Sequence, residues 1–167
     1  MREIADDAGV NVALISRYFE SKEGLFEACL EHGVTALARS AGGVSGLSEV
    51  AETMSRQVTG HAADSRLQYF ILLLVRSSGD DRAERLRLGF LRSFGERLAS
   101  AAGWAPGVPG ADDLLLRAQV LLSVGIGIAV LRSSGGLEPL ASADHDLLVA
   151  PLRDLVTALL GPGADPA

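Results

Sequence analysis

The 167 residues suffice for one compact domain or a small head on a larger body, and a composition 48% apolar with mean hydropathy +0.26 excludes global disorder. Only 5% of residues are aromatic, which favours packed helices over a β-sandwich. A net charge of −6 excludes a general polyanion binder, so any contact with nucleic acid must come from a local site, and the single Cys29 excludes an intramolecular disulfide framework and suits a reducing cytoplasm.

Helical periodicity runs through the chain, and turn signals divide it. Residues 2–8 predict a short helix with Ile4, Ala5 and Ala8 on one side, ended by Gly9 where the backbone can take positive φ. Asn11 offers an N-cap to a second helix over 12–19. A third starts at the Ser21 cap, with Glu23 in its first turn, and runs to about residue 41. Its apolar stripe holds Leu25, Phe26, Cys29, Leu30, Val34, Leu37 and Ala38, and Cys29 is expected to be ordinary packing.

"GGVSGLS" breaks the chain before a helix over 48–63. Asp64 or Ser65 caps the next, whose "LQYFILLLV" is apolar all round and should be central. After "SSGDD", a helix over 82–102 turns Leu86, Phe90, Leu91, Phe94 and Leu98 inward. "GWAPGVPGADD" reads as a loop, followed by helices over 112–133 and 144–160 and a loose tail, "PGADPA", over 162–167. No internal repeat, coiled-coil heptad or convincing strand is found, so the expected fold class is all-α. No signal peptide is expected. The uncharged run over 118–131 contains Gln119 and Ser123 and is too short for a bilayer, so a soluble cytoplasmic protein with no membrane partner is expected.

Helix, tight glycine turn and helix within about 20 residues is the helix-turn-helix plan. Ala5 is small where the two helices must approach, Gly9 permits the turn, and Ile4, Val10 and Ile15 are expected to lock the pair. That leaves Asn11, Val12, Ala13, Ser16, Arg17 and Tyr18 to face outward from the second helix, which can enter a major groove. Arg17 suits guanine or phosphate, Asn11 and Ser16 suit bases or phosphates, and Tyr18 and Lys22 suit phosphates. The N–H groups at the Ser21 helix start make a further phosphate site. Local charge runs against this reading, because residues 1–40 hold four Lys/Arg against seven Asp/Glu, a net −3.

"IADDAGVNVALISRYFESKEGLFEA" resembles the DNA-binding signature of TetR-type transcriptional regulators, "IA..AGVS...LY.HF.SKE.L". Ile4, Ala5, Ala8, Gly9, Val10, Phe19, Ser21, Lys22, Glu23 and Leu25 match it, closely over residues 2–30. The resemblance implies a DNA-binding head over 1–40 and an effector-binding and dimerisation body over 41–161. It implies double-stranded DNA with a palindromic operator, a second copy of the chain and a small effector as partners, and no cofactor. Val12 and Leu14 stand where the family often has a polar or basic residue and a Thr, while Ser16 and Tyr18 replace a frequent Tyr and His. Arg17 is therefore the strongest expected reader. Family members also open with a further helix and a basic arm, and neither precedes Arg2 in this sequence. Without them Ile4, Ala8, Phe19 and Phe26 should be partly exposed. An upstream start would supply them; otherwise the chain is a truncated module that dimerises and binds DNA weakly or not at all.

In the body, small residues of the helix over 112–133 allow close helix approach, and glycine within a helix costs up to ~1 kcal/mol, which points to a packing reason. Leu114, Leu121, Gly125 and Ala129, with Leu147, Leu148, Leu152, Leu155, Val156, Leu159 and Leu160 of the last helix, form the expected dimer face. The dimer reading rests mostly on the resemblance, which implies two recognition helices about 34 Å apart. An effector pocket is expected among the middle helices, lined by Met54, Phe70, Leu73, Leu74, Phe90, Phe94 and Trp104, with Gln57, His61, Tyr69 or Arg76 as polar anchors. Plain core packing is the competing account of each stripe. "GIG" at 125–127 follows no strand and is no dinucleotide fingerprint. His32, His61 and His145 are far apart and join no Cys or carboxylate at metal-ligand spacing, so neither a metal nor catalysis is expected.

Overall fold

The computed structural model describes residues 1–40, 46–60, 70–71, 74–75 and 81–162, and all the regular structure among them is helical. Three helices, α1 (Arg2–Asp7), α2 (Val12–Phe19) and α3 (Lys22–Ser40), follow one another through tight turns. The body contributes α4 (Leu47–Thr59), α5 (Asp81–Ala101), α6 (Ala111–Ser134) and α7 (His145–Leu160). The bounds follow the sequence pattern closely except in α4, which ends at Thr59 because Gly60 leaves helical backbone at φ −45°, ψ 128°. The caps Asp64 and Ser65 and the side chains of Val34, Leu37 and Ala38 lie outside the described residues.

The core has two parts. In the larger, Val50, Ala51 and Met54 of α4 meet Leu148, Leu152, Val156 and Leu160 of α7, and Ala99 of α5 with Ala118 and Leu121 of α6 closes the group. The smaller is built on Leu30, Phe70 and Leu74, with Phe26, Leu86, Phe90 and Leu91 packed against it, so it fastens α3 to α5. Arg82 of α5 adds an ion pair to Glu27 of α3 at 2.9 Å. Within α5, Arg87 hydrogen-bonds both Glu84 and the Leu74 carbonyl, and the guanidinium holds the Glu84 carboxyl below its ordinary pKa.

Small residues set the helix crossings. Leu86, Phe90, Leu91, Phe94 and Leu98 are only half-buried, whereas Ala83, Gly95 and Ala99 are fully buried. A Cβ at Gly95 would lie 3.1 Å from Gln119 Cγ, so a larger residue would push α5 off α6. At Gly125 a Cβ would meet only the tip of the Met54 side chain, Cε at 3.0 Å, which can swing aside. Cys29 is exposed on α3 rather than packed.

The expectation that no segment could span a bilayer needs correcting. The 24-residue α6 includes an 18-residue stretch of mean hydropathy 2.1, long and apolar enough to cross a membrane by length and composition. Its inner side supplies Ala118, Leu121 and Ala129 to the core, yet only 17% of that stretch is buried. The outer side leaves Leu116, Val120 and Leu131 at 58%, 46% and 46% exposure.

One side chain gathers the far end of the body. Arg132, near the end of α6, donates through Nε to the Val58 carbonyl at 3.0 Å and through Nη1 to the carbonyls of Leu140 and Ala143. Alongside, Glu52 of α4 takes His145 Nε2 at 3.1 Å and Arg153 at 3.0 Å, and Ser55 donates to the His145 carbonyl.

Candidate nucleic-acid interface

The turn between α1 and α2 is built by backbone chemistry that glycine makes possible. Gly9 takes φ +65°, and the N–H of Val10 reaches back to the Ala5 carbonyl while that of Gly9 reaches Asp6. Ala5 is completely buried where the helices cross and Ile15 is 6% exposed, so these two residues hold the pair. Ile4 and Val10 do not lock it, being 41% and 42% exposed. Ala8 is exposed and Phe19 and Phe26 are half-buried.

The helix start at α2 depends on Asn11, whose Oδ1 accepts the Ala13 N–H at 2.8 Å. That commitment changes what Asn11 can read. One lone pair of its carbonyl oxygen is committed to the cap, while the amide NH2 can donate to a base acceptor or a phosphate. Ala13, Ser16, Arg17 and Tyr18 are exposed, Tyr18 at 73%, while Val12 is half-buried. Leu14, half exposed, adds an apolar contact that can meet a thymine methyl group.

The corner after α2 fixes the next helix. Glu20 takes left-handed φ 61°, and the Ser21 N–H turns back to the Phe19 carbonyl at 2.6 Å. Ser21 Oγ then accepts the Gly24 N–H at 3.0 Å, capping α3. Gly24 is required there, since a Cβ would overlap the Phe19 carbonyl oxygen. The remaining first-turn N–H groups of α3 stay with exposed Lys22 at the same edge as Arg17, a combination suited to phosphate. Acidic Asp6, Asp7, Glu20 and Glu23 are also exposed in the head and oppose a polyanion.

The residues expected to line an effector pocket do not form one group. Met54, 8% exposed, and half-buried Trp104 belong to the larger core, and Trp104 Nε1 donates to the Ala111 carbonyl at 3.0 Å. Phe70, 5% exposed, Leu74 and Phe90 belong to the smaller one. Gln57 and Phe94 are half-buried, and His61, Tyr69, Leu73 and Arg76 lie outside the described residues. A half-open cleft of about 510 Å3 lies elsewhere, lined by Arg56, Thr59, Arg132, Asp144, His145 and Asp146 among others. Nothing in the sequence pattern groups those residues, because they come from three helices.

The expected dimer face also needs redrawing. Leu121, Ala129, Leu148, Leu152, Val156 and Leu160 are buried inside the chain, and Leu114, Leu155 and Leu159 pack half-buried against the same core. Gly125 is half-buried and faces Met54. The outward residues are instead Leu116, Val120 and Leu131, which recur at helical spacing on α6 with Ser123 and Gly127 between them, and Leu147 on α7 at 66% exposure. The sequence missed the first three because α6 is apolar on every side.

Residues 1–29 match the family model described as bacterial regulatory proteins, tetR family, and residues 48–160 match the tetracyclin repressor-like C-terminal domain. No curated protein and no solved structure matches the chain.

Proposed function

Because the chain belongs to the tetR family of bacterial regulatory proteins, and is a DNA-binding transcriptional regulator rather than an enzyme, we propose that it acts in the cytoplasm as a homodimeric repressor released from a palindromic operator by a small-molecule effector. The observation that carries the reading of DNA is the outward face of α2, where Ala13, Ser16, Arg17 and Tyr18 are all exposed beside the capped start of α3. Arg17 reads a base edge, Asn11 donates its amide NH2, and Ser16, Tyr18 and Lys22 position the helix on phosphates.

A second copy of the chain, rather than lipid, covers the outer stripe of α6. The stripe is interrupted by Ser123 and Gly127, and α6 carries Arg117, paired with Asp113 at 2.8 Å, and Arg132. A continuous lipid-facing surface would avoid these groups. Leu116, Val120, Leu131 and Leu147 are the centre of this interface.

The test is a DNA-binding titration with fragments flanking the protein's own gene, at several salt concentrations, alongside light scattering. A dimer whose specific binding weakens with salt fits the proposal. A monomer, or binding indifferent to sequence, overturns it. The competing reading, a dimerisation module that binds DNA weakly or not at all, is favoured by the net −3 of residues 1–40 and by exposed Ile4 and Val10. A dimer with no affinity for any fragment would decide for that module.

A further inference from the structure

The cleft at the far end of α4 belongs to neither the DNA-reading face nor the stripe on α6. Its walls come from the last turn of α4 (Arg56, Thr59), the end of α6 (Arg132) and the start of α7 (Asp144, His145, Asp146), around a volume of about 510 Å3. That size lies within the range of small-molecule sites. Four charged side chains of both signs line it, yet among the described residues Arg56, Arg132, Asp144 and Asp146 make no ion pair, with one another or with any other residue.

Opposite charges gathered in one recess ordinarily close on each other. Here backbone bonds hold two of them in place. Arg132 is tied to the carbonyls of Val58, Leu140 and Ala143, and Asp144 Oδ1 accepts the Leu147 N–H at 3.0 Å. Thr59 turns its hydroxyl to the Ser55 carbonyl, and Arg56 reaches only Thr53 Oγ1, at 3.5 Å. His145 is drawn toward Glu52 through Nε2, which leaves Nδ1 buried and without a hydrogen-bond partner among the described residues. With respect to the described residues, binding capacity therefore remains on the Arg56 guanidinium, on Arg132 Nη2 and on the carboxylates of Asp144 and Asp146.

A simple anion entering the cleft would meet two carboxylates, and a simple cation two guanidiniums. A molecule carrying both charges a few atoms apart satisfies the two sets together. We propose that this cleft binds a small zwitterion of the amino-acid type, its carboxylate held by Arg56 and Arg132 and its ammonium group by Asp144 and Asp146. The assignment stands on the cleft alone and does not rest on DNA reading, so its failure would leave the regulator proposal untouched.

The test is a thermal-unfolding and calorimetric screen of the full chain against the twenty common amino acids. Each is paired with its amide, which lacks the carboxylate charge, and its N-acetyl derivative, which lacks the ammonium charge. We expect at least one amino acid to raise the unfolding midpoint saturably while its two single-charge derivatives do not. Arg56→Gln and Asp146→Asn, both at exposed positions, should each weaken that binding by about tenfold or more, since each removes a charge-assisted hydrogen bond. The proposal is overturned if no amino acid gives a saturable shift, if the single-charge derivatives bind equally well, or if binding survives either substitution.

Discussion

Gly33 of α3 lies directly against the ring of Phe70, so close that a Cβ at position 33 would overlap the ring carbons. Phe70 is itself buried with Leu30 and Leu74, so the helix that leaves the DNA-reading head packs into the smaller core of the body. Head and body are joined by a ring seated in a notch.

Gly33→Ala is accordingly expected to destabilise the protein by about 1–3 kcal/mol, the usual cost of overpacking, despite the better helix propensity of alanine. Phe70→Leu should recover part of that loss when combined with it, because the two changes act on one contact. Urea unfolding of both single variants and the double variant measures the coupling. Strict additivity would show that the notch is not under pressure.

Arg17 is exposed on α2 and makes no ion pair among the described residues. Arg17→Ala should leave stability within about 0.5 kcal/mol and cost about 1–3 kcal/mol of operator binding. Arg17→Lys should restore the salt dependence but not the discrimination between operators, since a lysine offers a point charge without the planar fork. Anisotropy titrations on matched and mismatched fragments separate the two. Full recovery of discrimination by lysine would assign Arg17 to phosphate alone.

The two sides of α6 should respond oppositely to substitution. Leu116→Glu or Val120→Glu, on the outer side, should convert dimer to monomer in light scattering while the helical circular dichroism persists. Leu121→Ala, at a fully buried position, should cost about 2–5 kcal/mol whatever the oligomeric state. A dimer that tolerates both glutamates would place the interface elsewhere.

The Glu84–Arg87 pair makes a prediction with a sign. Arg87 lowers the Glu84 pKa in the folded protein. A carboxylate lowered on folding contributes stability above its unfolded pKa and loses it as pH falls through the folded value. Glu84→Gln should therefore be less stable than the parent at neutral pH, and the two should converge as pH falls from the ordinary carboxylate range through the lowered folded pKa of Glu84. Denaturant unfolding across that interval is the measurement, and a gap that persists in acid would assign the difference to packing.

Features decided within a few residues were legible in the sequence. Gly9, Asn11 and Ser21 act on neighbours two to five residues away, and the turn and caps they build are those these residues predict. What the sequence could not supply was the choice of side. On α6 nearly every direction is apolar, so periodicity could not separate Leu121 from Val120; the choice was made by Met54 and the α7 leucines, distant in the chain. In α5 the large apolar residues drew attention, while Gly95 and Ala99 set the closest approach. The cleft was out of reach for the same reason, since Arg132 is held by carbonyls from 8 to 74 residues away.

At Asn11, folding and reading share one amide group: its oxygen starts the helix, and its NH2 is the donor proposed for DNA. Changes there cannot be interpreted on one axis. Aspartate would keep the cap and present a negative oxygen in place of the donor, leaving the helix intact while turning it away from DNA. Alanine would remove both at once. A mutational survey scoring only regulation would count the two as equivalent, though one variant has lost an operator and the other has lost the start of a helix.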